Sequence, residues 1–121
     1  MARVLLVDND PDGVEIRRLL LEREGHQAFS ALNVEDARRK FRQTAPETVV
    51  LDLRIPHAAD GFELIREFRA ASPELRIIVL SGYPRDIQDR PEARMVNEIV
   101  PKPARPARLL ELIAKPTVAE P

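Results

Sequence analysis

At 121 residues, with 44% hydrophobic and 32% charged side chains, the chain is long enough to bury one core and too short for two. A formal net charge of -1 excludes a global attraction to nucleic acid or to an anionic membrane. The absence of cysteine excludes thiol chemistry, disulfides and thiolate metal sites.

Taken in chain order, Arg3 to Val7 reads as a short strand ending at Asp8-Asn9-Asp10. Pro11 suits the first turn of a helix with Asp10 as its cap. Val14, Leu20 and Leu21 form the inward stripe of that helix, and Gly25 stops it. Gln27 to Ala31 predicts a weaker second strand. Asn33 caps a second helix that turns Ala37 and Phe41 inward and ends before Pro46. The run Thr48-Val49-Val50-Leu51-Asp52-Leu53 predicts a strand buried on both faces. A helix over Gly61 to Ala71 buries Phe62, Ile65 and Phe68, and Arg76 to Leu80 is a fourth strand ending at Ser81-Gly82. Between Tyr83 and Asn97, Pro84 and Pro91 leave room for only a short helix. Glu98 to Val100 is a short fifth strand ending at Pro101-Lys102-Pro103, and Ala107 to Ala114 is the last helix. The domain is expected over residues 1–114, with 115–121 as a tail or truncated linker. No apolar stretch approaches the length of a membrane span and no signal-peptide pattern opens the chain, so a cytoplasmic location is expected.

Strands alternating with helices at this spacing mean right-handed crossovers and a parallel sheet covered on both faces. The carboxyl ends of such strands share one edge, the crevice where open α/β sheets place their chemistry. Asp8, Asn9 and Asp10 stand there after the first strand, Asp52 after the third, Ser81 after the fourth and Lys102 after the fifth. Clustered carboxylates repel and call for a cation. Oxygen ligands without His or Cys select a hard ion such as Mg²⁺. A lysine offers a point charge to an anion and a serine hydroxyl a hydrogen bond. Such groups suffice to hold a phosphoryl group in transfer to a carboxylate nucleophile.

Four segments carry a resemblance to a known family: Val4-Leu5-Leu6-Val7-Asp8-Asn9-Asp10-Pro11, Val49 to Pro56 with Asp60-Gly61, Ile78 to Tyr83, and Val100-Pro101-Lys102-Pro103. In that order and spacing they resemble the receiver domains of bacterial two-component response regulators. The resemblance implies a flavodoxin-like, five-stranded doubly wound fold, with the fourth helix short or irregular. It implies that Asp52 accepts a phosphoryl group from a sensor histidine kinase or histidine phosphotransfer protein. Mg²⁺ would be held by Asp8, Asn9, Asp52 and the backbone carbonyl of Arg54. Ser81 matches the switch hydroxyl and Lys102 the lysine that pairs with the phosphoryl group, followed by a cis bond to Pro103. The resemblance also implies a signalling domain that turns over no external substrate and acts on an output partner, with no nucleic acid or membrane involved.

The chain departs from the family pattern at three positions and in one loop, since the stretch from Asp52 to Gly61, with His57 in it, is one residue longer than the common family spacing. Asn9 stands where a second acid is usual, a loss of roughly 1–2 kcal/mol of cation binding. Ile99 replaces an aromatic that rotates with the switch, and Ala104 replaces another. Two further functions compete with phospho-acceptance. One is a degenerate receiver that binds a protein partner without phosphate. The other is a haloacid-dehalogenase-type phosphatase, suggested by Asp8-Asn9-Asp10 but lacking the acidic pair after the lysine, since only Glu111 and Glu120 follow Lys102. His57 reads as a surface loop residue, and Tyr83 as lining the site mouth or packing on the short helix, with packing favoured. Arg38-Arg39-Lys40-Arg42 reads as a solvated helix face with acidic neighbours, and Arg17 and Arg18 as part of a docking surface for a kinase helix.

Overall fold

A computed structural model describes residues 2–115. The tail expected over 115–121 therefore lies, apart from Lys115, outside the described residues. Five strands, β1 (Arg3–Val7), β2 (Gln27–Ala31), β3 (Thr48–Asp52), β4 (Arg76–Ser81) and β5 (Glu98–Pro101), alternate with helices α1 (Pro11–Arg23), α2 (Val34–Thr44), α3 (Ala58–Ala71), α4 (Arg85–Gln88) and α5 (Pro106–Ala114). A 3-10 turn over Pro91–Arg94 follows α4. The sheet is parallel throughout, in the order β2-β1-β3-β4-β5. This is the expected flavodoxin-like, doubly wound α/β fold.

Alternation along the strands divides the core into two layers. Leu5, Val7, Val49, Leu51, Ile77 and Val79 face Ala37, Phe62, Ile65 and Phe68 of α2 and α3. Val4, Leu6, Val50, Ile78 and Leu80 face Val14 and Leu21 of α1 and Leu109, Leu112 and Ile113 of α5. Each such side chain contributes about 1.5–3 kcal/mol on burial. The register aligns Val7 with Leu51, Asp52 with Leu80 and Ser81 with Pro101, so the polar residues at the strand ends emerge side by side.

The helix ends show where local chemistry was legible. Asn33 Oδ1 accepts the Asp36 N–H at 2.8 Å, as a cap should. Gly25 stops α1 with a left-handed φ of 92°. Asp10 is the N-cap residue of α1, but its side chain makes no capping hydrogen bond. Leu20 is only half-buried on the flank of α1. Helix α3 starts at Ala58, three residues before the expected Gly61. His57 is exposed, as expected, yet it is the N-cap residue of that helix, and its backbone N–H donates to Asp60 Oδ2 at 3.2 Å. Gly61 is therefore no helix start. It lies inside α3 where the helix crosses the exit of β3, and a Cβ there would run into the Leu53 carbonyl and side chain.

Gly61→Ala is expected to cost about 1–3 kcal/mol through this overpacking, measured by urea unfolding. Gly82→Ala, where a Cβ meets nothing within 4 Å, is expected to be nearly neutral in the same assay.

Candidate functional site

The four strand ends deliver their polar residues to one crevice. Asp52, the last residue of β3, is buried, and its Oδ2 accepts a hydrogen bond from Lys102 Nζ at 2.8 Å. Lys102 follows β5 directly, and its backbone N–H donates to the Ser81 carbonyl at 2.9 Å, which continues the β4–β5 pairing. The Lys102–Pro103 peptide is cis, as the resemblance implies, and so is Ile55–Pro56.

Asp8, one residue past β1, is 4% exposed. Its Oδ1 accepts the Asp10 N–H at 3.0 Å, and its Oδ2 accepts the Arg17 guanidinium. Ser81 is buried, and its Oγ accepts the Tyr83 N–H at 3.0 Å, which leaves its own proton free to donate elsewhere. Asn9 is exposed beside Asp8. An open recess of about 140 Å³ lies over this edge, lined by Asp52, Leu53, Arg54, Ser81, Gly82, Tyr83 and Lys102. Asp52, Ser81, Lys102 and Arg54 thus share one cavity, and Asp8 faces Asp52 closely enough to bias its charge.

The rim of this recess was not legible in the sequence. Arg54 reaches across to Asp86 with contacts of 2.7 and 3.1 Å, and its guanidinium lies 4.1 Å over the Tyr83 ring. Tyr83 is 60% exposed and stacks on that cation, so the expectation that it packs on the short helix is corrected. Arg17 is likewise turned in towards Asp8, away from the outer face assigned to it, while Arg18 pairs with Glu15 and Glu22 along α1. In the cluster on α2, Arg38 ties that helix to Glu63 and Glu67 of α3 and Arg39 pairs with Asp36, so acidic neighbours are present as expected. Ile99 is half-buried against the α2–α3 layer. The sequence signal for the rim is only that Arg54 and Tyr83 each stand two residues past a strand-end group.

Two buried carboxylates facing each other, one of them unsettled by the other, fit a hard cation. Among the described residues no three His, Cys, Asp or Glu side chains gather to hold a metal. A cation here would complete its shell with the Asn9 amide, a backbone carbonyl and water, the oxygen set that Mg²⁺ accepts.

Comparison with known proteins gives the family of the chain. The family model described as "Response regulator receiver domain" matches residues 4–114. An uncharacterized protein from the sodA1 3′ region of Leptolyngbya boryana is 34% identical over 122 residues, covering 98% of this chain and 92% of its own. The transcriptional regulatory protein CssR of Bacillus subtilis is 32% identical, over 93% of this chain and 49% of its own length. The chain thus spans about half of that regulator. Among solved structures, the response regulator TrrA of Thermotoga maritima in complex with Mg²⁺-BeF superposes with a TM-score of 0.81 at 30% identity, over 93% of this chain and 96% of that one.

Burial pushes the Asp52 carboxyl above its ordinary value of 3.8, Lys102 opposes the rise and the Asp8 charge adds to it. The folded protein therefore keeps this proton to higher pH than the unfolded chain does. Between the two values the folded state binds more protons, so stability falls as pH rises through that window and stays penalised above it. In Mg²⁺-free buffer Asp52→Asn is expected to raise the Tm at pH 7 by about 3–6 °C for each ~1 kcal/mol of penalty. The gain is expected to vanish below the ordinary aspartate value, as measured by calorimetry across pH.

Proposed function

The chain belongs to the response regulator receiver domains, a two-component signalling family, and we propose that it is a phospho-acceptor whose acceptor is Asp52. The observation that carries this reading is the 2.8 Å contact of Lys102 Nζ with Asp52 Oδ2, beside Asp8, at the carboxyl edge of the sheet. It gives a carboxylate nucleophile a cation that can follow the charge as it moves out onto a phosphoryl group.

In this reading an Asp52 carboxylate oxygen attacks the phosphorus of a phosphohistidine in line. The new O–P bond forms as the P–N bond breaks, and the imidazole departs and takes up a proton from solvent. Lys102 passes from the carboxylate to the phosphoryl oxygens, and the Ser81 hydroxyl, whose proton is free, donates to another of them. Water later cleaves the acyl phosphate, which restores the Asp52 carboxylate and releases inorganic phosphate. Asp8 and Asp52, with the Arg54 backbone carbonyl and Asn9, are the residues to hold Mg²⁺. When bound, that ion neutralises charge building up on the transferred oxygens. The donor is a sensor histidine kinase or a histidine phosphotransfer protein in the cytoplasm. The response passes to an output partner by protein contact, without nucleic acid or membrane.

A second reading, a receiver that binds its partner without phosphate, is favoured by Asn9 and by the guanidinium already seated on Asp8. The two separate in one experiment. Incubation with acetyl phosphate and Mg²⁺ is expected to add one phosphoryl group to the intact mass. The gain is expected to disappear without Mg²⁺ and in Asp52→Asn, and to slow about 10²-fold in Lys102→Ala. No gain in folded wild-type protein at high Mg²⁺ would establish the binding-module reading instead.

A further inference from the structure

We propose that the Arg17 guanidinium is a built-in counter-ion that occupies the Asp8 side of the cation site and has to leave before Mg²⁺ binds. The inference rests on the metal reading given above and adds to it a residue of this chain that competes with the ion.

Arg17 sits on α1, and its Nη2 donates to Asp8 Oδ2. The second oxygen, Oδ1, is taken by the Asp10 N–H at 3.0 Å. Both oxygens of Asp8 therefore already have donors, and at 4% exposure the residue has little surface left for another. The charges also balance without a metal: Asp8 and Asp52 bring two negative charges, Arg17 and Lys102 two positive ones. A divalent ion entering beside all four would leave two uncompensated positive charges in a buried crevice. Release of Arg17 halves that excess and frees Oδ2 as a ligand. Asn9 brings no charge, so of the two residues that follow Asp8 only Asp10 adds a negative charge at this edge.

The way out is short. The Arg17 side chain is 22% exposed, and Arg17 lines the groove between α1 and α5 together with Leu20 and Leu110. Rotation about its own side-chain bonds takes the guanidinium to water while the stem stays covered. Arginine and Mg²⁺ then exclude each other at Asp8, and the coupling is reciprocal: whatever Arg17 contributes to the metal-free fold, it subtracts from metal affinity. A purely structural bridge between α1 and the end of β1 would carry no such trade.

The test is a MgCl₂ titration of the full chain, read by calorimetry and by the fluorescence of Tyr83, the single tyrosine of a chain without tryptophan and a residue of the recess. Wild type is compared with Arg17→Met, which keeps the stem, and Arg17→Gln, which keeps a donor without charge. Both variants are expected to bind Mg²⁺ about tenfold more tightly, a change of ~1.4 kcal/mol. Both are also expected to melt lower than wild type without Mg²⁺ and to gain more Tm on its addition. Unchanged or weaker Mg²⁺ binding in either folded variant, with wild type binding normally, overturns the competition and leaves the metal reading intact. Absence of Mg²⁺ binding in wild type and variants alike overturns the metal reading, and this inference with it.

Discussion

The contact between Lys102 and Asp52 is the interaction on which the rest of the site depends. A parallel sheet sends the ends of all its strands to one edge, and here two of those ends carry carboxylates that are buried and face each other. Burial of like charges is costly unless each has a partner. Lys102 supplies one to Asp52 and Arg17 one to Asp8. The crevice is thus held in balance by cations the chain itself provides, and the direction of the Asp52 shift shows that the balance is incomplete. A carboxylate kept uneasy in this way gains from any event that draws negative charge away from it.

The placement of Lys102 is itself demanding, because β5 is only four residues long. Its position is secured by polar groups on the neighbouring segments. Arg69 of α3 donates to the carbonyls of Pro73, Leu75 and Met95 and to Asn97 Oδ1, and Asn97 Oδ1 also accepts the Ile77 N–H at 2.8 Å. These bonds tie the entry of β5 to that of β4. Arg76 of β4 donates to the Leu112 carbonyl at the end of α5, which fixes that helix over the same edge of the sheet. Gly61 lets α3 close on the exit of β3 at Leu53, next to Asp52. The Arg69 and Asn97 bonds hold the entries of β4 and β5 at one end of the sheet, and the strands carry Ser81 and Lys102 from there to the other.

The sheet and the residues at its edge could be read in the sequence because their signals are local. Apolar runs that stop at Asp8, Asp52, Ser81 and Lys102 mark strand ends, and a parallel sheet needs no further information to bring those ends together. Asn33 announced its helix for the same reason. Gly61 looks like a boundary in the sequence, but the pairing of His57 with Asp60 sets the first turn of α3. The rim was hidden because its contacts are between segments: Arg54 and Tyr83 meet over the recess, and Arg54 reaches Asp86 thirty-two positions on. In the sequence Arg17, between Ile16 and Leu19, both exposed, looks like surface. Only the fold shows that its side chain reaches Asp8.

The ionisation of Asp52 is where these forces meet, and following its carboxyl carbon by ¹³C NMR through a pH titration, with and without Mg²⁺, tests the account most directly. The expected result is a midpoint above that of an unstructured aspartate in the metal-free protein, falling when Mg²⁺ is added. A midpoint at or below the ordinary value, unmoved by Mg²⁺, would contradict the claim that Asp52 is a buried carboxylate crowded by Asp8 and waiting for a cation.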